Sequence, residues 1–183
     1  MKNSFYTIEE LNQIGLKSIG ENVMISRFAQ LYGVDNMEIG NHVRIDDFCI
    51  LSGNIKLGNY IHISAYCALY GKFGIEMEDY SGLSPRCTIF SASDDFSGNF
   101  MIGPMVNSKY TNVIGGKVHL KKYSQLGSNC VVLPKVIINE GVAVGAMSLI
   151  VKDLKAWKVY IGIPAKILND RKKELINFNN DKK

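Results

Sequence analysis

The sequence predicts an all-β chain wound into a parallel β-helix, and three features carry that prediction. Between residues 39 and 74 six consecutive hexads, IGNHVR, IDDFCI, LSGNIK, LGNYIH, ISAYCA and LYGKFG, each open on an aliphatic residue. The same frame extends back over residues 19–36 and resumes, after interruptions, over 77–94 and 120–155, so that all eighteen hexads lead with Ile, Leu, Val or Met. Small residues also recur in register: Cys49, Cys67, Cys87 and Cys130 take the fifth position of the middle hexad of their coils, a place held by Ala29 in the first coil and Ser148 in the last. A hexad with one large aliphatic and one small inward residue buries too little surface to stand alone, so neighbours must stack to complete the core. Three hexads per turn give a triangular coil whose strands hydrogen-bond to the turns above and below, about 4.8 Å away.

The elements follow in order within a single domain spanning residues 1–183. Residues 1–18 precede the repeat. Thr7-Ile8-Glu9-Glu10 forms a capping box and Phe5 or Tyr6 stands where a staple onto Leu11 would form, so a short helix is expected after Thr7, ending near Gly15. It would cover the open end of the coil, where unpaired backbone is a template for aggregation. The β-helix runs over residues 19–155. Parallel Cβ vectors in stacked strands do not face each other as a disulfide requires, so the cysteines read as reduced, buried small hydrophobes. A long interruption over residues 91–117 holds Asp94, Asp95, Met101 and Met105. A structureless loop of that length in a compact domain is commonly functional. Beyond Lys155 the rhythm is lost, the chain turns through Gly162-Ile163-Pro164, and AKILNDRKKELINF sets Leu168, Leu175 and Ile176 on one side, predicting a second helical cap within residues 156–183.

Several functions are disfavoured. The net charge of +4 is modest and partly terminal (Arg171, Lys172, Lys173, Lys182, Lys183). No basic stripe is interleaved with stacking aromatics, so nucleic acid is not an expected partner. No apolar run is long enough to span a bilayer and no signal-peptide pattern follows Met1, which with reduced thiols gives the cytoplasm as the expected location and no membrane insertion. His42, His62 and His119 are scattered along the chain, and their spacing suggests no metal-ligand set.

The hexads, the long loop after the fourth coil, the GAMSLIVKD segment at residues 145–153 and IGIPAKIL at 161–168 resemble the left-handed β-helix, or hexapeptide-repeat, acyltransferases that draw acyl groups from coenzyme A. The likeness spans residues 19–171. It implies the left hand of the coil, which periodicity does not encode, and a homotrimer holding acetyl-CoA as co-substrate between adjacent prisms. The segments SFYTIEEL, LKSIGENVMISRFAQLY, VRIDDFCILSG and SASDDFSGN, with the KKY after Leu120, are similar to N-acyltransferases of nucleotide-linked 4-amino-4,6-dideoxy sugars, dTDP-4-amino-4,6-dideoxyglucose foremost. Those enzymes supply bacterial surface polysaccharides such as O-antigen.

Sugar O-acetyltransferases of the galactoside type share the coils but carry a histidine base in the loop, where this chain reads Ser93-Asp94-Asp95. A hydroxyl nucleophile must lose its proton as it attacks a thioester, and imidazole is suited to take it. An amine attacks as the free base. Aspartate, ordinarily titrating at about 3.9, is a poor proton acceptor at neutral pH but a good hydrogen-bond acceptor for an amine. The loop therefore favours N-acylation. The resemblance places Asp94 and Ser84 at the acceptor site, Asp94 positioning the amine and Ser84 bonding either it or the tetrahedral oxyanion. It places coenzyme A against the backbone of Gly127, Ser128, Gly145 and Ala146, where small residues permit close approach, with Lys152, Lys166 and Arg171 as phosphate ligands. Arg44, Asp46, Asp95 and His62 are candidates for sugar-nucleotide binding. The alternative activity is a sugar O-acetyltransferase in which His62 serves as the base.

Overall fold

The computed structural model describes residues 4–179, and they form a parallel β-solenoid with almost no helix. Strands gather on three faces. The first carries Met24–Ile25, Arg44–Ile45, His62–Ile63, Gly82–Leu83, Gln125–Leu126, Ala143–Val144 and Lys158–Ile161. The second and third share one sheet, because Ile50–Leu57 and Ala68–Met77 each run unbroken around the corner between them. The hexad frame sets the register. Ile45, Ile63, Leu83, Leu126, Val144 and Tyr160 pair in succession on the first face. Leu51, Leu69, Ile89, Val132 and Ile150 do so on the second, and Ile39, Leu57, Met77, Leu120 and Ile138 on the third. Every lead residue from Ile39 onward is buried, whereas Ile19 and Leu31 of the first coil remain half-buried.

Between strands, the first-hexad turns are held by a ladder of side-chain acceptors. The Glu21 N–H donates to Asn41 Oδ1 at 2.8 Å, that of Asn41 to Asn59 Oδ1 at 2.9 Å, and that of Asn59 to Asp79 Oδ1 at 2.8 Å. The glycine beside each step is required by space, since a Cβ on Gly40 would stand 2.4 Å from the Gly58 carbonyl oxygen.

The corners carry the feature that sequence reading missed. At the fourth hexad position the backbone enters the left-handed region, with φ of 56° at His42, 57° at Tyr60, 59° at Tyr80 and 60° at Tyr123. Bulky residues adopt that conformation at a cost. Here they stack: His42 on Tyr60 at 4.6 Å, Tyr60 on Tyr80 at 4.9 Å, and Tyr80 on Tyr123 at 5.5 Å between ring centroids. Aromatic pairs at such distances contribute roughly 0.5–1.5 kcal/mol each beyond their burial, enough to offset much of the strain. A second corner stacks Phe28, Phe48 and Tyr66, with the Arg86 guanidinium over Tyr66. Where the first column reaches Gly141, the missing side chain lets the Trp157 ring lie across the position and approach Tyr123.

At the start of the chain the capping box forms as expected. The Thr7 N–H donates to Glu10 Oε2 at 2.7 Å, the Glu10 N–H to Thr7 Oγ1 at 3.3 Å, and the helix spans Ile8–Gln13. Leu11 is buried in the core with Tyr6 packed against it. Arg27 of the first coil clamps Glu10 through two bonds of 2.6 Å, and the Tyr6 N–H donates to the Ile25 carbonyl.

The far end departs from expectation. Beyond residue 155, where the hexad rhythm predicts the end of the coil, Lys158–Ile161 adds one more strand to the first face, with the aromatic Tyr160 in the lead position. The helix expected over AKILNDRKKELINF is replaced by strand Lys166–Asp170, antiparallel to Lys158–Ile161, and a 3-10 turn at Glu174–Asn179. The last strand of the stack would otherwise expose its edge, and pairing its N–H and C=O groups outweighs the weak helical preference of the segment.

Two measurements check this account. A Cβ on Gly141 would fall 2.4 Å from the Trp157 ring at a φ of +65°, so Gly141→Ala should lose about 1–3 kcal/mol by overpacking, seen as a lower melting temperature with altered tryptophan fluorescence. The Arg27 side chain first and the Thr7 backbone second draw Glu10 down from 4.5 to about 2. A lowered folded value means stabilisation that is complete above pH 4.5 and vanishes as pH falls through about 2. Wild type and Glu10→Gln should therefore differ in melting temperature at neutral pH and converge across that window.

Candidate active site

The interruption over residues 91–117, expected to be structureless, is a hairpin. Ala92–Asp94 pairs antiparallel with Val113–Gly115, and a 3-10 turn at Ser108–Tyr110 closes the outer part. Buried Ser91 roots it to the solenoid: its N–H and its hydroxyl both donate to the Tyr70 carbonyl at 3.0 Å, and its Oγ accepts from the Phe73 N–H at 2.9 Å. The outer segment carries exposed apolar side chains, among them Phe96, Met101 and Met105.

The two adjacent aspartates differ in their partners. Asp95 closes the neck of the hairpin, its carboxylate accepting from the Ser97 N–H and from Asn112 Nδ2, both at 2.8 Å. Those bonds, Ser97 first, hold its carboxyl below the ordinary aspartate value. Asp95 is thus occupied in shaping the loop. Asp94, half-buried at the end of the hairpin strand, has a carboxylate with no hydrogen-bond or ion-pair partner among the described residues. The Ser84 hydroxyl is likewise uncommitted.

Ser84 stands at the second position of a middle hexad. The first-face register stacks Asp46, Ser64, Ser84, Gly127 and Gly145 on successive turns, the Ser84 N–H donating to the Leu126 carbonyl and that of Gly127 to Val144. The glycines have a packing reason of their own. A Cβ on Gly127 would lie 2.6 Å from the Ala146 nitrogen, so a side chain there would push the turns apart. Ser128 and Ala146 follow in the same two turns, half-buried and exposed respectively.

The other charged candidates are dispersed. Lys152 and Lys166 are exposed. Arg171 is half-buried, its Nη1 donating to the carbonyls of Tyr123 at 2.8 Å and of Gly141 and Val142 at 3.2 Å, and burial lowers its pKa. It ties the final segment to the aromatic corner, a role that a basic residue in a charged run did not advertise. Arg44, Asp46 and His62 form one cluster: Arg44 Nε donates to Asp46 Oδ1 and His62 Nε2 meets Asp46 Oδ2, each at 2.7 Å. Burial pushes the Asp46 carboxyl up, but the bonds from Arg44 and His62 outweigh it and leave the value lowered. His62 pairs with Gly82, one turn from Ser84, yet its Nε2 is turned to the opposite turn by Asp46. Among the described residues no three His, Cys, Asp or Glu side chains converge to hold a metal ion, and no helix is long and apolar enough to cross a membrane.

No family profile matches the chain. It is 44% identical over 172 residues to the dTDP-4-amino-4,6-dideoxy-D-glucose acyltransferase of Escherichia coli, covering 92% of this chain and 90% of that protein. It superposes with a TM-score of 0.95 on AntD, an N-acyltransferase from Bacillus cereus solved with dTDP and 3-hydroxybutyryl-CoA, at 48% identity over 98% of this chain and 96% of that one. A serine-to-cysteine variant of AntD, solved with dTDP-4-amino-4,6-dideoxyglucose and coenzyme A, superposes at 0.96 with 47% identity over 99% and 97% of the two chains. A hexapeptide-repeat acetyltransferase from Vibrio cholerae in complex with acetyl-CoA shares the fold at 0.64 and 16% identity, over 90% of this chain and 76% of that one. The coil that the hexads predicted, with the loop standing off its fourth turn, thus comes with an identity of 44% over nine-tenths of both chains, and this chain belongs to the family of dTDP-4-amino-4,6-dideoxy-D-glucose acyltransferases.

Proposed function

We propose that this protein transfers an acyl group from a coenzyme A thioester to the 4-amino group of dTDP-4-amino-4,6-dideoxyglucose, with Asp94 and Ser84 at the acceptor. The observation that carries the reading is the division of the aspartate pair, in which Asp95 is consumed by the hairpin neck while the Asp94 carboxylate is left free. In the mechanism Asp94 accepts a hydrogen bond from the amine and aims its lone pair at the thioester carbon. As the C–N bond forms, the carbonyl oxygen gains negative charge and the Ser84 hydroxyl donates to it. Collapse breaks the C–S bond, and the departing thiolate, whose acid titrates near 8.5 on the model scale, takes the proton from nitrogen. The products are the amide and free coenzyme A. No strong protein base is required, in keeping with a loop that contains no histidine.

The backbone of Gly127, Ser128, Gly145 and Ala146 borders the pantetheine arm in this reading, and Lys152, Lys166 and the free edge of Arg171 meet the phosphates. Arg44, Asp46 and His62 face the sugar nucleotide, and Asp95 acts through the loop. The active form is a homotrimer, supported by the unburied Phe96, Met101 and Met105 of the hairpin and the aromatic corner of Phe28, Phe48 and Tyr66. The enzyme works in the cytoplasm on precursors of surface polysaccharide such as O-antigen. Acetyl-CoA is the expected donor, and the 3-hydroxybutyryl-CoA bound to AntD makes a longer acyl group the comparison to run.

Thiol release with either donor should be fast for the amino sugar and absent for a plain galactoside. Asp94→Ala should lower kcat/KM at least tenfold and Ser84→Ala should lower kcat roughly 100-fold or more, while His62→Ala retains kcat. Turnover of the galactoside, abolished by His62→Ala, would overturn the reading in favour of O-acetylation. Asp95→Ala should raise KM for the sugar and speed amide exchange at Ser97, with the melting temperature moved by only about 1–2 °C, since the neck lies outside the core.

A further inference from the structure

Behind the column that carries Ser84 runs a column of buried thiols, and hydrogen bonds join the two. Cys49 Sγ donates to the Ser64 carbonyl at 3.1 Å, Cys67 to Ser84 at 3.2 Å, Cys87 to Gly127 at 3.1 Å and Cys130 to Gly145 at 3.3 Å. Each thiol reaches the following turn, and in every case the second residue of its middle hexad. Ser148 in the same column bonds the Gly145 carbonyl of its own turn instead, at 2.7 Å. The longer carbon–sulfur bond accounts for the difference in reach.

All four cysteine side chains are fully buried, so water does not compete for these carbonyls. Among the described residues no backbone N–H donates to the Ser84 or Gly127 carbonyl. A buried carbonyl without a donor is costly, and the thiol meets that need from inside the prism. The peptides so held are those whose outer sides carry the acceptor serine and border the pantetheine arm.

We infer that Cys67 and Cys87 are positioning residues, Cys67 fixing the peptide that presents the Ser84 hydroxyl and Cys87 fixing the Gly127 turn for the acyl-CoA. The inference rests on the proposed placement of Ser84 and Gly127 in the site. Cys49 supplies an internal control, because it makes the same bond in the same surroundings to Ser64, a buried residue with no assigned part in the reaction. Alanine is an acceptable replacement in this column, since Ala29 occupies it in the first coil.

The test compares Cys49→Ala, Cys67→Ala, Cys87→Ala and Ser84→Ala with wild type, using acetyl-CoA and the amino sugar, with a melting curve for each. The three cysteine variants should lose similar stability. Cys67→Ala should lower kcat about fivefold to tenfold at unchanged KM for acetyl-CoA, and Cys87→Ala should raise that KM by about the same factor at unchanged kcat, as for loss of one hydrogen bond. Cys49→Ala should change neither. Kinetics for Cys67→Ala and Cys87→Ala that match those of Cys49→Ala would overturn the positioning role. A large loss of kcat in Ser84→Ala alongside that result would leave the catalytic assignment standing, whereas a silent Ser84→Ala would remove both.

Discussion

Register is the constraint on which this molecule depends. In a parallel stack a slip of one residue would turn every lead aliphatic outward, and the three columns of leads hold their alignment across the 27-residue excursion over residues 91–117. Leu83 pairs with Leu126 on the first face and Met77 with Leu120 on the third, as though the hairpin were absent. The proposed site inherits this order. Ser84, Gly127 and Gly145 belong to three different turns, and only the register sets them in one line.

A coil this tight must satisfy groups that ordinary sheets leave to turns and water. Two columns do so, and a third packs a corner, each with a different residue chemistry. Asn41, Asn59 and Asp79 accept from backbone N–H groups of the preceding turn. The thiols of Cys49, Cys67, Cys87 and Cys130 donate to carbonyls of the following one. His42, Tyr60, Tyr80 and Tyr123 stack along a corner where each residue takes the left-handed conformation. Full burial of all four thiols disfavours the charged thiolate and favours the donating form.

Against that rigid prism the hairpin is the longest departure from the repeat, and it separates two residues that look alike. Asp94 and Asp95 are consecutive carboxylates, yet alternation along an extended segment sends them to different surroundings. One is bound into the neck of the loop and the other is left available for chemistry. The same logic separates the basic residues, because Lys152 and Lys166 stay in solvent while Arg171 spends part of its guanidinium on three carbonyls.

The solenoid, its three-hexad turn, the stacked unbridged cysteines and the N-terminal capping box are legible in the residues alone, because each is a local or strictly periodic pattern that a single chain displays in full. The sequence also carried the family, through segments such as SASDDFSGN and IGIPAKIL. Tertiary structure decided the rest. The segment from Lys166 became a strand because an open sheet edge lay beside it, a fact about Lys158–Ile161 that no helical periodicity contains. The aromatic corners and the bond from each thiol to the next turn depend on residues 15 or more positions apart in the chain meeting across one inter-turn spacing, and the separate fates of Asp94 and Asp95 depend on a hairpin that brings Asn112 to Asp95. Periodicity marks which positions face inward, but only the stacked coil says what each finds there.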